Sequence, residues 1–292
     1  MTKLKAKDPS TVEPAKPKFI LFSASGIGKT WYALSFPNVY YMDTEGGATR
    51  AHYMDRLSKS GGKYLGVEDG ALDFEVIIDQ LKALATEKHS FKTVVIDSIT
   101  KLFNNAIANE AERLADKNSF GADKKPAIAY MRRLVVCLGR LDMNVILVAH
   151  ERPEWGTDSK GDRVELGKVA DCWDKLIYEL DLTIHCQKRG PQRMAVVKKS
   201  RLLGFPEGQS FPLEFAEFAE RYGKDVILKA AKPLDLATVE QVTEITRLVE
   251  LLNIGGETTA KWLEKANAET FSELNSYQAA AVITSLNSKL NK

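Results

Sequence analysis

Short apolar runs alternate with longer stretches of helical period along the first two thirds of the chain. Phe19-Ile20-Leu21-Phe22 is an uninterrupted apolar run that ends at a Ser/Gly loop, the pattern of a strand buried on both faces. Lys29 to Phe36 can form a short helix, which Pro37 stops. Val39-Tyr40-Tyr41-Met42 predicts a second strand, Ala71 to Glu87 a helix, and Thr93-Val94-Val95-Ile96 a third strand ending at Asp97. Helical sequence runs from Ile99 to about Asp116, Lys117 to Pro126 reads as a loop, and Ala127 to Asp142 as another helix. Asn144 to Val148 is a fourth strand ending at Ala149-His150, and the polar, glycine-containing stretch 151–168 reads as a long mobile loop. Leu180 to Cys186 and Arg193 to Lys198 read as two strands around the turn Arg189-Gly190-Pro191. Strands alternating with helices, closed by a late hairpin, predict an α/β fold with a mostly parallel sheet and an antiparallel edge.

Beyond this pattern, 205–232 reads as irregular, with a further strand at Val226-Ile227-Leu228. From Leu236 the composition shifts to helix: Val239 to Leu252, Thr258 to Asn267 and Ser276 to Asn291, interrupted by Gly255-Gly256 and by 268–275. This predicts a small all-helical C-terminal domain with Leu251, Leu252, Trp262, Leu263, Phe271 and Leu274 as its core. At the other end, 1–17 is rich in Lys, Pro and Thr, and Lys3, Lys5, Lys7 and Lys16 face only Asp8 and Glu13, which predicts a flexible basic arm. The expected organisation is therefore an arm over 1–17, an α/β domain over 18–232 and a helical domain over 233–292.

Bulk composition adds exclusions. The 292 residues are 44% hydrophobic and 27% charged, ordinary for a globular chain, and the net charge of +2 does not announce a nucleic-acid binder, so a basic surface must be local. Cys137, Cys172 and Cys186 form no CxxC pair, which argues against a zinc site or a disulfide framework and fits a reducing cytoplasm. No apolar run approaches the roughly 18 residues of a membrane span, so no membrane partner is expected. Local charge is more telling. No acidic residue stands between Asp181 and Glu207, while Lys188, Arg189, Arg193, Lys198, Lys199 and Arg201 do. Lys124, Lys125, Arg132 and Arg133 are interleaved with Phe120 and Tyr130, a mixture suited to a single-stranded nucleic acid. Trp155 sits in the predicted mobile loop among charges of both signs.

The chemistry concentrates after the first strand. Ser23-Ala24-Ser25-Gly26-Ile27-Gly28-Lys29-Thr30 is a P-loop pattern with Ser23 in place of the usual first glycine. Backbone N–H groups of such a loop cradle phosphates, the lysine balances β/γ-phosphate charge and the hydroxyl holds Mg²⁺. Ser25, Gly26, Ile27, Gly28, Lys29, Thr30 and Trp31 are thus expected at an ATP polyphosphate, with Thr30 on Mg²⁺. Asp97, at the end of a neighbouring strand, fits a second Mg²⁺ ligand, and Ser98 stands where many ATPases carry a glutamate. Glu45, just past the second strand, can supply the missing carboxylate to activate water.

These motifs resemble the RecA-type recombinase core. The resemblance spans about 18–228 and rests on the P-loop, on Asp43-Thr44-Glu45 after the next strand, and on Asp97-Ser98. It implies that Glu45 activates water and that His150, which stands where the family commonly has Gln, senses the γ-phosphate. It also implies DNA-contacting loops at about 117–126 and 151–168. In Val196-Val197-Lys198-Lys199-Ser200-Arg201, either Lys198 or the pair Lys199 and Arg201 would reach the nucleotide of an adjacent subunit, so self-association is implied. Asp-Thr-Glu-Gly-Gly, Ala-His-Glu and Lys-Ser-Arg are similar to segments of phage-encoded RecA-core ATPases, including Sak-type single-strand annealing proteins. On that likeness the chain is expected to be an ATPase acting on single-stranded DNA in phage recombination or annealing, with a phage or host protein recruited by the C-terminal domain. The alternatives are a nucleotide-gated accessory factor or helicase loader, and a P-loop kinase, against which the absence of a clear arginine-bearing lid counts.

Overall fold

The structure, a computed structural model, describes residues 6, 8–115, 121–266, 268 and 270–290. Lys3, Lys5 and Lys7 of the predicted arm, Phe120 and the rest of 117–120 lie outside the described residues, as do the predicted helix ends at Asp116, Asn267 and Asn291. The chain divides into two units, one of Met1–Leu81 with His89–Ala231, the other of Lys82–Lys88 with Lys232–Lys292.

The first unit is built on an eight-stranded sheet. Its strands are β1 (Lys18–Phe22), β2 (Val39–Asp43), β3 (Lys63–Leu65), β4 (Thr93–Asp97), β5 (Asn144–Ala149), β8 (Leu182–Arg189), β9 (Gln192–Ser200) and β10 (Ser210–Pro212), in the order β10-β9-β8-β1-β5-β4-β2-β3. From β8 to β3 every pairing is parallel, while β8–β9 and β9–β10 are antiparallel. This is the expected α/β architecture, a mostly parallel sheet with an antiparallel edge. The apolar runs of β1, β4 and β5 are almost completely buried on both faces, which is why they carry no alternating polar residues. Aromatic packing anchors one face: Phe19 stacks on Phe218 at 4.7 Å between ring centroids, and Phe36 meets Phe215 edge-on at 4.9 Å.

Register decides where the chemistry lies. Phe22 of β1 is level with Ala149 of β5 and His185 of β8, and Asp43 of β2 is level with Asp97 of β4 and Val148 of β5. The segments that follow β1, β2, β4 and β5 therefore leave the sheet along one edge. The helices after them include α1 (Lys29–Ala33), α2 (Ala51–Lys59), α3 (Phe74–Thr86), α4 (Ile99–Leu114) and α5 (Lys124–Arg140).

Two expectations are corrected. The stretch 151–168 is an antiparallel ribbon, β6 (Glu151–Thr157) and β7 (Arg163–Ala170), in a sheet of its own. Asp158 organises its turn, with Oδ1 accepting from the N–H groups of Lys160 and Asp162. Most of the ribbon's side chains meet solvent on both faces, so no period-two apolar pattern marks it. Val226-Ile227-Leu228 is not a strand but part of the short helix α8 (Lys224–Leu228), where only Ile227 is buried; a three-residue apolar run does not distinguish the two. Short elements also went unread, among them α2, β3, β10, α6 (Leu176–Glu179) and α7 (Phe215–Tyr222).

The second unit holds α9 (Val239–Leu251), α10 (Gly256–Lys265) and α11 (Ser276–Leu290) around buried Ile245, Leu274 and Ala279. Thr238 caps α9 in a reciprocal box with Gln241, at 3.2 and 3.0 Å. Leu263 and Phe271 pack against this core as expected, but Leu251 is 60% exposed, because α9 turns it outward. Among the described residues no helix is long and apolar enough to cross a membrane.

Candidate nucleotide site

The loop between β1 and α1 wraps tightly because Gly26 and Gly28 take φ values of +80° and +105°, a region that residues with a Cβ seldom adopt. The loop closes on Lys29, whose ammonium donates to the Ser23 carbonyl at 2.9 Å, to Ser23 Oγ at 3.1 Å and to the Ala24 carbonyl at 3.1 Å. Burial pushes the Lys29 pKa down, and the charge of Asp97 opposes that shift. Thr30 Oγ1 donates to Asp97 Oδ2 at 2.5 Å. A hydroxyl and a carboxylate side by side are the hard oxygen donors that suit Mg²⁺, which takes one or two protein ligands and otherwise phosphates and water. Among the described residues no cluster of three or more His, Cys, Asp and Glu side chains could hold a metal ion. Asp97 is buried, and burial raises its pKa to about 6, with the Thr30 hydrogen bond pulling the other way.

Glu45 occupies the opposite side of this group. Its Oε1 accepts from Ser98 Oγ at 2.6 Å and lies 2.6 Å from His150 Nε2, while Oε2 has no partner among the described residues. Burial raises the Glu45 pKa, but those two hydrogen bonds and the charges of His150 and Lys101 outweigh it, so the net shift is downward. The turn that carries Glu45 is held from beneath by Asp43, which is fully buried and accepts from the N–H groups of Glu45 at 3.1 Å and Ala48 at 2.5 Å. Thr44 Oγ1 bridges to the Ser98 N–H at 2.7 Å, tying the β2 turn to the start of α4. His150 is fixed through its N–H, which donates to Thr100 Oγ1 at 2.9 Å, and Thr100 in turn donates to the Asp171 carbonyl at the base of the β6–β7 ribbon. Asp171 N–H closes the ribbon base on the His150 carbonyl at 2.8 Å.

Ser25, Gly26, Gly28, Lys29, Thr30, Trp31, Glu45, Asp97 and His150, all anticipated from sequence, line one open cleft of about 380 Å³. Ile27 packs instead against the core. Tyr41, Gly47, Arg50, His52, Tyr53 and Arg193 complete the cleft, and no sequence signal places them there. Arg193 was visible only as one of a basic run. Tyr41, with its hydroxyl 3.4 Å from both Asp43 and Asp97, read as an ordinary strand residue.

Lys198, Lys199 and Arg201 are not brought to the cleft of their own chain. Lys199 is level with Thr183 and Ser200 with Leu182, near the start of β8, so Lys199 and Arg201 lie at the edge of the sheet opposite the P-loop. There Lys199 donates to the Leu180 carbonyl and Arg201 to the Tyr178 carbonyl. Lys198 occupies the register shift between β8 and β9 and is exposed. With Trp155, Tyr178, Arg152, Lys168 and Lys199 it lines a groove of about 530 Å³ at the base of the ribbon. Trp155 is 50% exposed there and carries the Arg163 guanidinium 4.5 Å from its ring centroid.

A family model described as AAA domain matches residues 15–206. No curated protein matches the chain. Among solved structures, the RadB recombinase is similar at a TM-score of 0.42 and 20% identity, over 67% of this chain and 86% of that one. An ATPase from the type III secretion system of pathogenic bacteria is similar at 0.40 and 13%, over 94% and 81%.

Proposed function

The chain belongs to the AAA domain family, and from that premise we propose that it binds ATP with Mg²⁺, hydrolyses it, and couples the reaction to single-stranded DNA. The observation that carries the reading is the arrangement of Glu45. One carboxylate oxygen is fixed by Ser98 and His150, the other has no partner among the described residues, and the group shares a cleft with Lys29, Thr30 and Asp97. Its low pKa keeps it ionised at neutral pH, able to accept a proton from an attacking water at Oε2. His150 orients this carboxylate and is tied through Thr100 to the ribbon, so a change at the ribbon can reach the base. Thr30 and Asp97 would hold the metal ion, which supplies charge neutralisation on the phosphates.

The DNA assignment is supported by Trp155 and by the cations Arg152, Arg163, Lys168 and Lys198 beside it, an aromatic face with positive charge around it. The role would be recombination or strand annealing, in a phage, by an assembly of copies in which exposed Lys198 is the late cation free to reach a neighbouring subunit's nucleotide. One observation favours a second reading. Arg152 is paired with Asp174 at 2.5 Å and Lys168 with Glu165 at 2.6 Å, which leaves fewer cations for a phosphate backbone and suits a nucleotide-gated accessory factor or helicase loader. Phosphate release from ATP and Mg²⁺, with and without single-stranded DNA and beside Lys29→Ala, separates the two. Stimulation that the Lys29 variant abolishes supports the DNA-coupled ATPase; activity indifferent to DNA supports the accessory factor.

A further inference from the structure

Between the phosphate cleft and the antiparallel edge of the sheet stands a cation that the reading above leaves unused. Arg193 is the second residue of β9, level with Lys188 of β8, and its carbonyl accepts from the Leu213 N–H at 2.9 Å. Its backbone is thus held from both neighbouring strands. Its side chain reaches across to the P-loop, where a Cβ built on Gly28 would stand 3.1 Å from Arg193 Nε and 3.2 Å from Cδ. The side chain is exposed and makes no ion pair or hydrogen bond to any described residue, although Glu45 and Asp97 line the same cleft. It also lines a second groove of about 620 Å³, which shares Gly28, Trp31 and Arg193 with the first and continues along Pro191, Met194 and Phe215. A guanidinium carried on a sheet-held backbone, laid over a loop of phosphate-binding geometry and without a carboxylate partner among the described residues, has the donors to meet an anion.

We propose that Arg193 binds the polyphosphate of the nucleotide held by its own chain, so that each cleft carries two cations in cis, Lys29 and Arg193. The proposal rests on the nucleotide reading above and adds to it that this cation needs no neighbouring subunit, unlike Lys198. Arg193 supplies a planar pair of donors beside Gly28, whereas Lys29 supplies a single ammonium folded against Ser23 and Ala24.

The test compares Arg193→Ala, Arg193→Lys and Lys29→Ala with the full-length protein. Equilibrium binding of ATP is measured by a fluorescent analogue, and KM and kcat by phosphate release. Losing a charge-assisted contact should weaken binding of ATP about 10- to 100-fold in Arg193→Ala and less in Arg193→Lys, with an unchanged melting temperature in the absence of nucleotide. In equimolar mixtures of Arg193→Ala and Lys29→Ala, a cis contact gives only the sum of the two activities. Recovery in the mixture would show Arg193 acting on a neighbour's nucleotide and would overturn the proposal, as would wild-type binding and KM in Arg193→Ala. Wild-type protein that binds no nucleotide, or Lys29→Ala that binds as wild type does, would remove the underlying reading as well.

Discussion

The cleft holds two carboxylates whose pKa values are moved in opposite directions, one by burial and the other by its hydrogen bonds. Glu45 has a lowered pKa and Asp97 one raised to about 6. The acid limb of kcat/KM should therefore follow Asp97 and fall near pH 6, measured by phosphate release from pH 5 to 8. The same shift bears on stability. Folded Asp97 takes up a proton between about pH 6 and its ordinary value of 3.8, so the unliganded protein gains stability as pH falls through that window and is burdened above it. Asp97→Asn should raise the stability of the unliganded protein at pH 7 by up to about 3 kcal/mol and by little at pH 4, while abolishing Mg²⁺-dependent turnover; thermal melts at the two pH values check the sign. Glu45→Gln should lower kcat about 100-fold or more with ATP binding retained, and retained turnover would remove Glu45 as the base. Lys29, Thr30, Asp97, Glu45 and His150 were legible because each stands at a fixed offset from the end of an apolar run, and parallel register brings those ends to one edge. Arg193 was not, since no local pattern says that residue 193 lies over residue 28. Asp43 was read only as part of a motif, and its support of the Glu45 turn depends on a bend that periodicity does not report.

At the scale of elements, the long apolar strands and α4 and α5 announced themselves, whereas the ribbon and the short helices did not. β6 and β7 are held mainly by each other and by a turn built on Asp158, so their sequence carries the polarity of a loop. An ordered ribbon changes what Trp155 can do. A half-exposed indole on a strand, backed by Arg163, is a preformed stacking surface and does not need to be ordered on contact. Trp155→Ala should weaken binding of a single-stranded oligonucleotide by about 1–3 kcal/mol, read by fluorescence anisotropy, with basal phosphate release unchanged. Equal affinity in the variant would turn attention to the accessory-factor reading.

For the whole molecule, the second unit is not simply the tail of the chain. Residues 82–88, from the end of α3, group with 232–292, and the Leu234 N–H donates to the Ala85 carbonyl at 2.7 Å. A boundary at residue 233 follows the change in composition, which cannot report that a helix begun in one unit ends in another. Every cleft residue lies in the first unit. Deleting 234–292 should therefore leave ATP binding and Lys29-dependent phosphate release within about twofold while removing capture of a partner protein. If turnover disappears, the helical unit takes part in the cleft; if every pull-down survives, partner recruitment is not its role.

The strand order has a consequence for synthesis. β1 leaves the ribosome before every other described strand, yet its two neighbours are β5 and β8, which begin at Asn144 and Leu182. More than a hundred residues must be translated before either edge of β1 can be covered, and at about 5–20 residues per second that is a wait of roughly 6–24 seconds. During that interval an apolar strand followed by a glycine-rich loop is exposed on the nascent chain, and the site cannot take up nucleotide until nearly the whole first unit has been made.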